Sequence, residues 1–162
     1  MSSLLQDQKR DAMKAISHTG NFVLPVPIED AFPLFSPEGE KVWAPGWDYE
    51  NLMGTMELSE DYVFLTRSHD HAKTEAIWIV KAFDPDAYRV QFYKVEPGDK
   101  VGVVTVECVD LGDAGTRVHV TYKYIALSTA GERFITGFNA DVYDAFLAEW
   151  RTHLCAHFAA RE

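Results

Sequence analysis

The chain has 162 residues, of which 47% are hydrophobic and 13% aromatic, and its 25 acidic against 15 basic residues give a formal charge of −10. That acidic balance argues against nucleic acid as a partner, since phosphate binding needs clustered Lys and Arg, and it disfavours anionic membrane surfaces. The length and apolar content fit a single domain over residues 1–162 with a true core, and no stretch approaches the roughly 20 apolar residues needed for membrane insertion.

The opening segment, MSSLLQDQKRDAMK, has no apolar run long enough for a signal peptide. Residues 1–16 read as a short amphipathic helix prone to fraying. Two isolated cysteines, Cys108 and Cys155, form neither a disulfide framework nor a CxxC pair. The expectation is a reduced, cytoplasmic setting, with both thiols packed as small apolar groups.

The first strand is expected over 18–26, where Phe22 and Leu24 alternate with Asn21 and Val23, and Pro25 and Pro27 close it. A short helix follows over 28–35, with Glu29 and Asp30 in its first turn and Pro37 as its stop. Next comes Trp43-Ala44-Pro45-Gly46-Trp47, two indoles around a turn dipeptide. Leaving either indole in water would forfeit roughly 1.5–3 kcal/mol, so both are expected to be largely buried.

Strands then follow in quick succession: 49–58, 62–68, 73–83, 88–95, 100–111 and 117–127. Short polar turns separate them, which implies antiparallel hairpins rather than crossovers. Tyr88, Val90 and Phe92 alternate against Arg89 and Gln91, as Val118, Val120, Tyr122 and Tyr124 do against Arg117, His119, Thr121 and Lys123. The last stretch, 129–160, reads as one long helix or a short turn running into one. Thr129 and Glu132 have the spacing of a capping box. Phe138, Val142, Ala145, Phe146, Trp150, His153, Leu154 and His157 fall on one side, opposite Asp141, Asp144, Ala148, Arg151 and Cys155. The result is α+β, a sheet wrapped against a long C-terminal helix.

The segment Phe35-Ser36-Pro37-Glu38-Gly39-Glu40 followed by Trp43-Ala44-Pro45-Gly46-Trp47 resembles a signature of bacterial START-like proteins (SRPBCC, polyketide cyclase/dehydrase and lipid-transport superfamily). Gly115-Thr116-Arg117-Val118 and Ala126-Leu127-Ser128 running into Gly131-Glu132 are similar too. The resemblance implies a helix-grip fold, a curved antiparallel sheet of about six or seven strands around the C-terminal helix, with a cavity between them. Proteins of that kind bind lipids, sterols, hormones or polyketides, and a minority catalyse cyclisation.

The aromatics Trp43, Trp47, Trp78, Phe92, Tyr122, Tyr124, Phe138, Phe146 and Trp150 are the expected ligand-binding set, converging between sheet and helix. Their bland alternative is a packed core. Of the Trp43/Trp47 pair, at least one indole is expected to line the pocket and contact the ligand while the other anchors the turn, the alternative being that both are anchors. Glu149 and His153 join the set as polar groups on the apolar helix face, directed at the cavity or its open end. They are also the candidate acid–base pair if the protein is a cyclase/aromatase-type enzyme. A third reading is a co-chaperone-like module that meets its partner through an outer surface.

No cofactor and no metal site are expected. Glu149 and His157 lie about 12 Å apart along a helix axis, too far to share an ion. His69-Asp70-His71 sits at a hairpin tip and reads as a solvated turn. The expected partner is a small apolar or aromatic ligand.

Overall fold

The computed structural model describes residues 14–67 and 75–161. In chain order these form β1 (Ala15–Leu24), α1 (Ile28–Ala31), a 3₁₀ turn (Phe32–Phe35), α2 (Pro37–Glu40), β2 (Tyr49–Asn51), β3 (Val63–Arg67) and β4 (Glu75–Asp84). There follow β5 (Arg89–Glu96), β6 (Lys100–Asp110), β7 (Thr116–Ala126), α3 (Thr129–Gly137) and α4 (Ala140–Ala160). Among the described residues seven strands make one antiparallel sheet in the order β1-β7-β6-β5-β4-β3-β2. The sheet curves around α4, the helix-grip arrangement.

Period-two alternation decides which side chains face the helix. On β7, Val118, Val120, Tyr122 and Tyr124 are buried, while His119 is half-buried on the other face. On β6 the inward set is Lys100, Gly102, Val104, Val106 and Cys108. Outward residues pair across strands, as Arg89 and Glu107 do at 3.5 Å.

Several boundaries differ from the sequence expectation for identifiable reasons. Ala15 and Ile16 belong to β1, paired with Ile125 and Tyr124, rather than to an N-terminal helix; residues 1–13 lie outside the described part. The helix expected over 28–35 is one α turn followed by a 3₁₀ turn. Pro37 opens a helix instead of stopping one, because Ser36 caps it by accepting from the Gly39 N–H at 2.9 Å. The strand expected over 49–58 ends at Asn51, whose side chain accepts from the amides of Met53 and Gly54 and turns the chain.

The C-terminal stretch is two helices. Asn139 breaks it by accepting from the Val142 N–H at 2.9 Å, which caps α4. The α3 cap is Ser128, bonded to the Gly131 N–H, one residue before the expected Thr129. The buried stripe of α4 is also rotated from the expected one. Tyr143, Leu147, Leu154 and Phe158 face the sheet, whereas Val142 and Ala145 are exposed and Cys155 is half-buried. The cause lies on β1. A Cβ at Gly20 would fall 2.5 Å from Leu147 Cδ1, so glycine there leaves the space that the Leu147 side chain occupies. Tyr143 reinforces this phase, its hydroxyl donating to the Val120 carbonyl beneath it.

Candidate functional site

Between α4, the Trp43–Trp47 turn and the inner face of β4, β5 and β7 lies a cleft of about 720 Å³. All four tryptophans of the chain, Trp43, Trp47, Trp78 and Trp150, line it together with Tyr122 and Phe146. Their rings meet edge to face, Trp47 on Trp78 with centroids 5.9 Å apart and Trp43 on Trp150 at 5.3 Å. Such contacts hold the walls apart in a fixed shape.

Both indoles of the turn line the cleft, and both are also anchored. Trp43 is buried and donates Nε1–H to the Leu34 carbonyl at 2.8 Å. Trp47 is half-buried and donates to the Pro37 carbonyl at 2.8 Å. Both therefore anchor the turn to the preceding helical segment while bordering the cleft.

Of the other expected residues, Phe92 packs in the core against Phe64 and Trp78 and does not line the cleft. Tyr124 and Phe138 line an adjoining groove of about 550 Å³ between β7 and the α3–α4 break. Glu149 and His153 do border the main cleft, but Glu149 is exposed and His153 half-buried, so they sit at its rim. Cys108 is buried, and burial pushes its thiol up to about 12, which keeps it protonated and apolar in behaviour. Among the described residues no group of three or more His, Cys, Asp or Glu converges as a metal set, and His69-Asp70-His71 lie outside them.

Sequence reasoning missed two charged residues of the cleft, Lys94 and Glu40. Lys94 falls on the inner face of β5 by the same alternation that buries Val90 and Phe92. It stands in a cross-sheet row running Phe64, Trp78, Lys94, Gly102, Tyr124 and Ile16. Gly102 makes this row possible, since a Cβ there would come within 2.9 Å of the Tyr124 ring and 3.5 Å of Lys94 Cβ. The ammonium of Lys94 lies 5.4 Å from the Trp78 ring centroid. Glu40 ends α2, one turn beyond the Ser36 cap.

Both groups are pushed toward neutrality. Desolvation raises the Glu40 carboxyl to about 8, the nearby Lys94 charge opposing the rise only in part. Glu40 is half-buried and opens onto the cleft, and the protein packed around it is what raises its carboxyl. Desolvation likewise lowers Lys94, with Lys100 adding to the fall and Glu96 and Glu40 opposing it. An amine and a carboxyl so placed among aromatic rings can bind or exchange a proton with a polar group on an otherwise apolar molecule.

No protein-family profile and no curated protein sequence matches the chain. Solved structures do share its fold. Norcoclaurine synthase from Thalictrum flavum, solved in complex with dopamine and hydroxybenzaldehyde, superposes with a TM-score of 0.66 at 10% identity, over 93% of this chain and 90% of that one. Major latex-like protein 151 from Panax ginseng gives 0.66 at 16% identity, over 88% of this chain and 97% of that one. An uncharacterized protein from Rhizobium leguminosarum gives 0.62 at 15% identity, over 88% and 96%. The START-like resemblance of the FSPEGE and WAPGW segments thus holds at the level of the fold.

Proposed function

We propose that the protein binds an apolar or aromatic small molecule in the cleft between the sheet and α4. The observation that carries this reading is the aromatic lining of a cleft of about 720 Å³, which matches the size and character of small-molecule sites. The structural neighbour solved with two small aromatic molecules supports it, as a fold that accommodates such ligands.

One observation favours chemistry as a second reading. The enzyme expectation placed acid–base work on Glu149 and His153, but the polar groups whose ionisation the cleft shifts are Glu40 and Lys94. A cyclase-type activity would therefore draw its proton donor and acceptor from the latter pair, with Glu149 and His153 at the rim. The partner-binding module has less support, because the cleft is not filled by its own side chains; the exposed apolar residues Leu52, Met53 and Met56 are what it would use.

Titration with a neutral apolar dye such as Nile red tests the binding reading, followed by dye emission and tryptophan quenching together. Saturable one-to-one binding that quenches tryptophan is expected. Absence of saturable binding, with native mass spectrometry showing no retained small molecule, would sink it.

A further inference from the structure

We propose that the ligand of this cleft carries one anionic oxygen group, a carboxylate on an aromatic or extended apolar body, received by the Lys94 amine with the Glu40 carboxyl beside it. This deepens the binding reading and rests on it. The carrying observation is where Lys94 stands. It lines the main cleft, the groove toward Phe134 and Phe138, and a third opening toward Asp99 and Lys100, so it is the shared wall of all three. Among the described residues it makes no ion pair and no hydrogen bond, and its contact is the Trp78 ring.

Lys100 on the next strand shows what a buried lysine of this sheet looks like when it is structural. It pairs with Asp99 at 2.6 Å and Glu96 at 3.1 Å, and lies 4.0 Å from the Phe134 ring centroid. Lys94 is half-buried, opens onto the cleft, and lacks those partners. A partly desolvated cation left unpaired at the wall of an apolar cleft favours an entering anion.

The surroundings select among ligand charges. From α2, Glu40 is mostly neutral at pH 7, so it offers a proton rather than a charge. From β5 and β6, Glu96 is already engaged by Lys100. From β7, Tyr122 and Tyr124 are raised by burial and stay protonated. Arg133 on α3 borders only the adjoining groove, and Glu149 and His153 on α4 stand at the rim. A cationic ligand would meet Lys94 with no free counter-charge beside it, and a neutral ligand would leave Lys94 as it is. A carboxylate pairs with the amine and accepts the Glu40 proton as a hydrogen bond.

The test uses a matched pair, pyrenebutyric acid and its methyl ester, with quenching of the four cleft tryptophans as readout. At pH 7 the acid should bind at least about tenfold more tightly than the ester. That preference should shrink as pH rises through about 8, where Glu40 ionises and repels the anion. Lys94→Met should abolish the preference, acid and ester then binding within about twofold of each other. Equal binding of acid and ester to the unmodified protein overturns this proposal and leaves the binding reading intact. If neither probe binds saturably, both fall. A preference that survives Lys94→Met overturns the assignment to Lys94.

Discussion

Two rows of the same sheet, both facing α4, have opposite characters. One runs Val90, Val106, Val120 and Gly20 across β5, β6, β7 and β1, and its three valines are at most 2% exposed. The other runs Trp78, Lys94, Gly102 and Tyr124 across β4 to β7 and borders open space. In the first, small residues bring the backbone of the sheet close to the helix, and Leu147 and Tyr143 drop into the gap. In the second, large rings stand upright around a glycine and keep the helix away. The helix is the same helix, so side-chain size along the strands sets whether the interior is filled or hollow. A chain that placed rings beside a glycine and then hung a lysine there has left room for something else.

The largest expected effect separates the filled half from the hollow one. Leu154 is fully buried beneath α4, and Leu154→Ala should lower stability by about 2–5 kcal/mol, read as a fall in melting temperature. Dye affinity measured well below that temperature should hardly move. A loss under about 1 kcal/mol would mean that the packed half is not packed.

Next in size is the pair of indoles. Trp43→Phe removes a buried hydrogen bond to Leu34 and part of a packed ring, and should cost about 1–3 kcal/mol. Trp47→Phe, at a half-buried site, should cost less and weaken dye binding more. If both variants lose stability and neither changes affinity, the turn belongs to the scaffold alone.

Glu40 gives the comparison a pH axis. Its carboxyl ionises near 4.5 in the unfolded chain and near 8 in the folded one, so between these values the folded state holds the extra proton. Stability therefore falls as pH rises from about 4.5 to about 8, and is level beyond. Glu40→Gln should remove this slope, with a gain on the order of 1–3 kcal/mol at pH 8 once screening through the open cleft is allowed for. A stability profile unchanged by the substitution would show that Glu40 is solvated.

The smallest effect belongs to the rim. Glu149→Gln should change neutral-dye affinity by less than about twofold, because an exposed carboxylate contributes little to an apolar contact. A tenfold change would return Glu149 to the interior of the site.

Much of this architecture is legible in the sequence. Alternation places Val118 to Tyr124 inward, the turn dipeptides place the hairpins, and the FSPEGE and WAPGW segments suggest the fold. The site is only partly legible, for physical reasons that differ from residue to residue. Lys94 obeys the alternation that marks Val90 and Phe92, but a lysine near a strand end reads as solvent-facing until the next strand is known to carry Gly102 opposite it. Glu40 is hidden in the sequence because Pro37, which reads as a stop, opens the one-turn helix that carries it. The phase of α4 misled because apolar residues populate nearly all its sides. Gly20, far away in the chain, leaves the space that Leu147 takes.

The most direct test of the hollow row as the binding site is a crystal structure of the protein with pyrenebutyric acid methyl ester, a ligand whose position does not depend on the Lys94 assignment. The account predicts the pyrene ring between Trp47, Trp78 and Trp150, in contact with the row that carries Lys94. A ring found instead in the separate apolar groove of about 440 Å³ bordered by Phe32, Met56 and Phe83, with the main cleft empty, would contradict it.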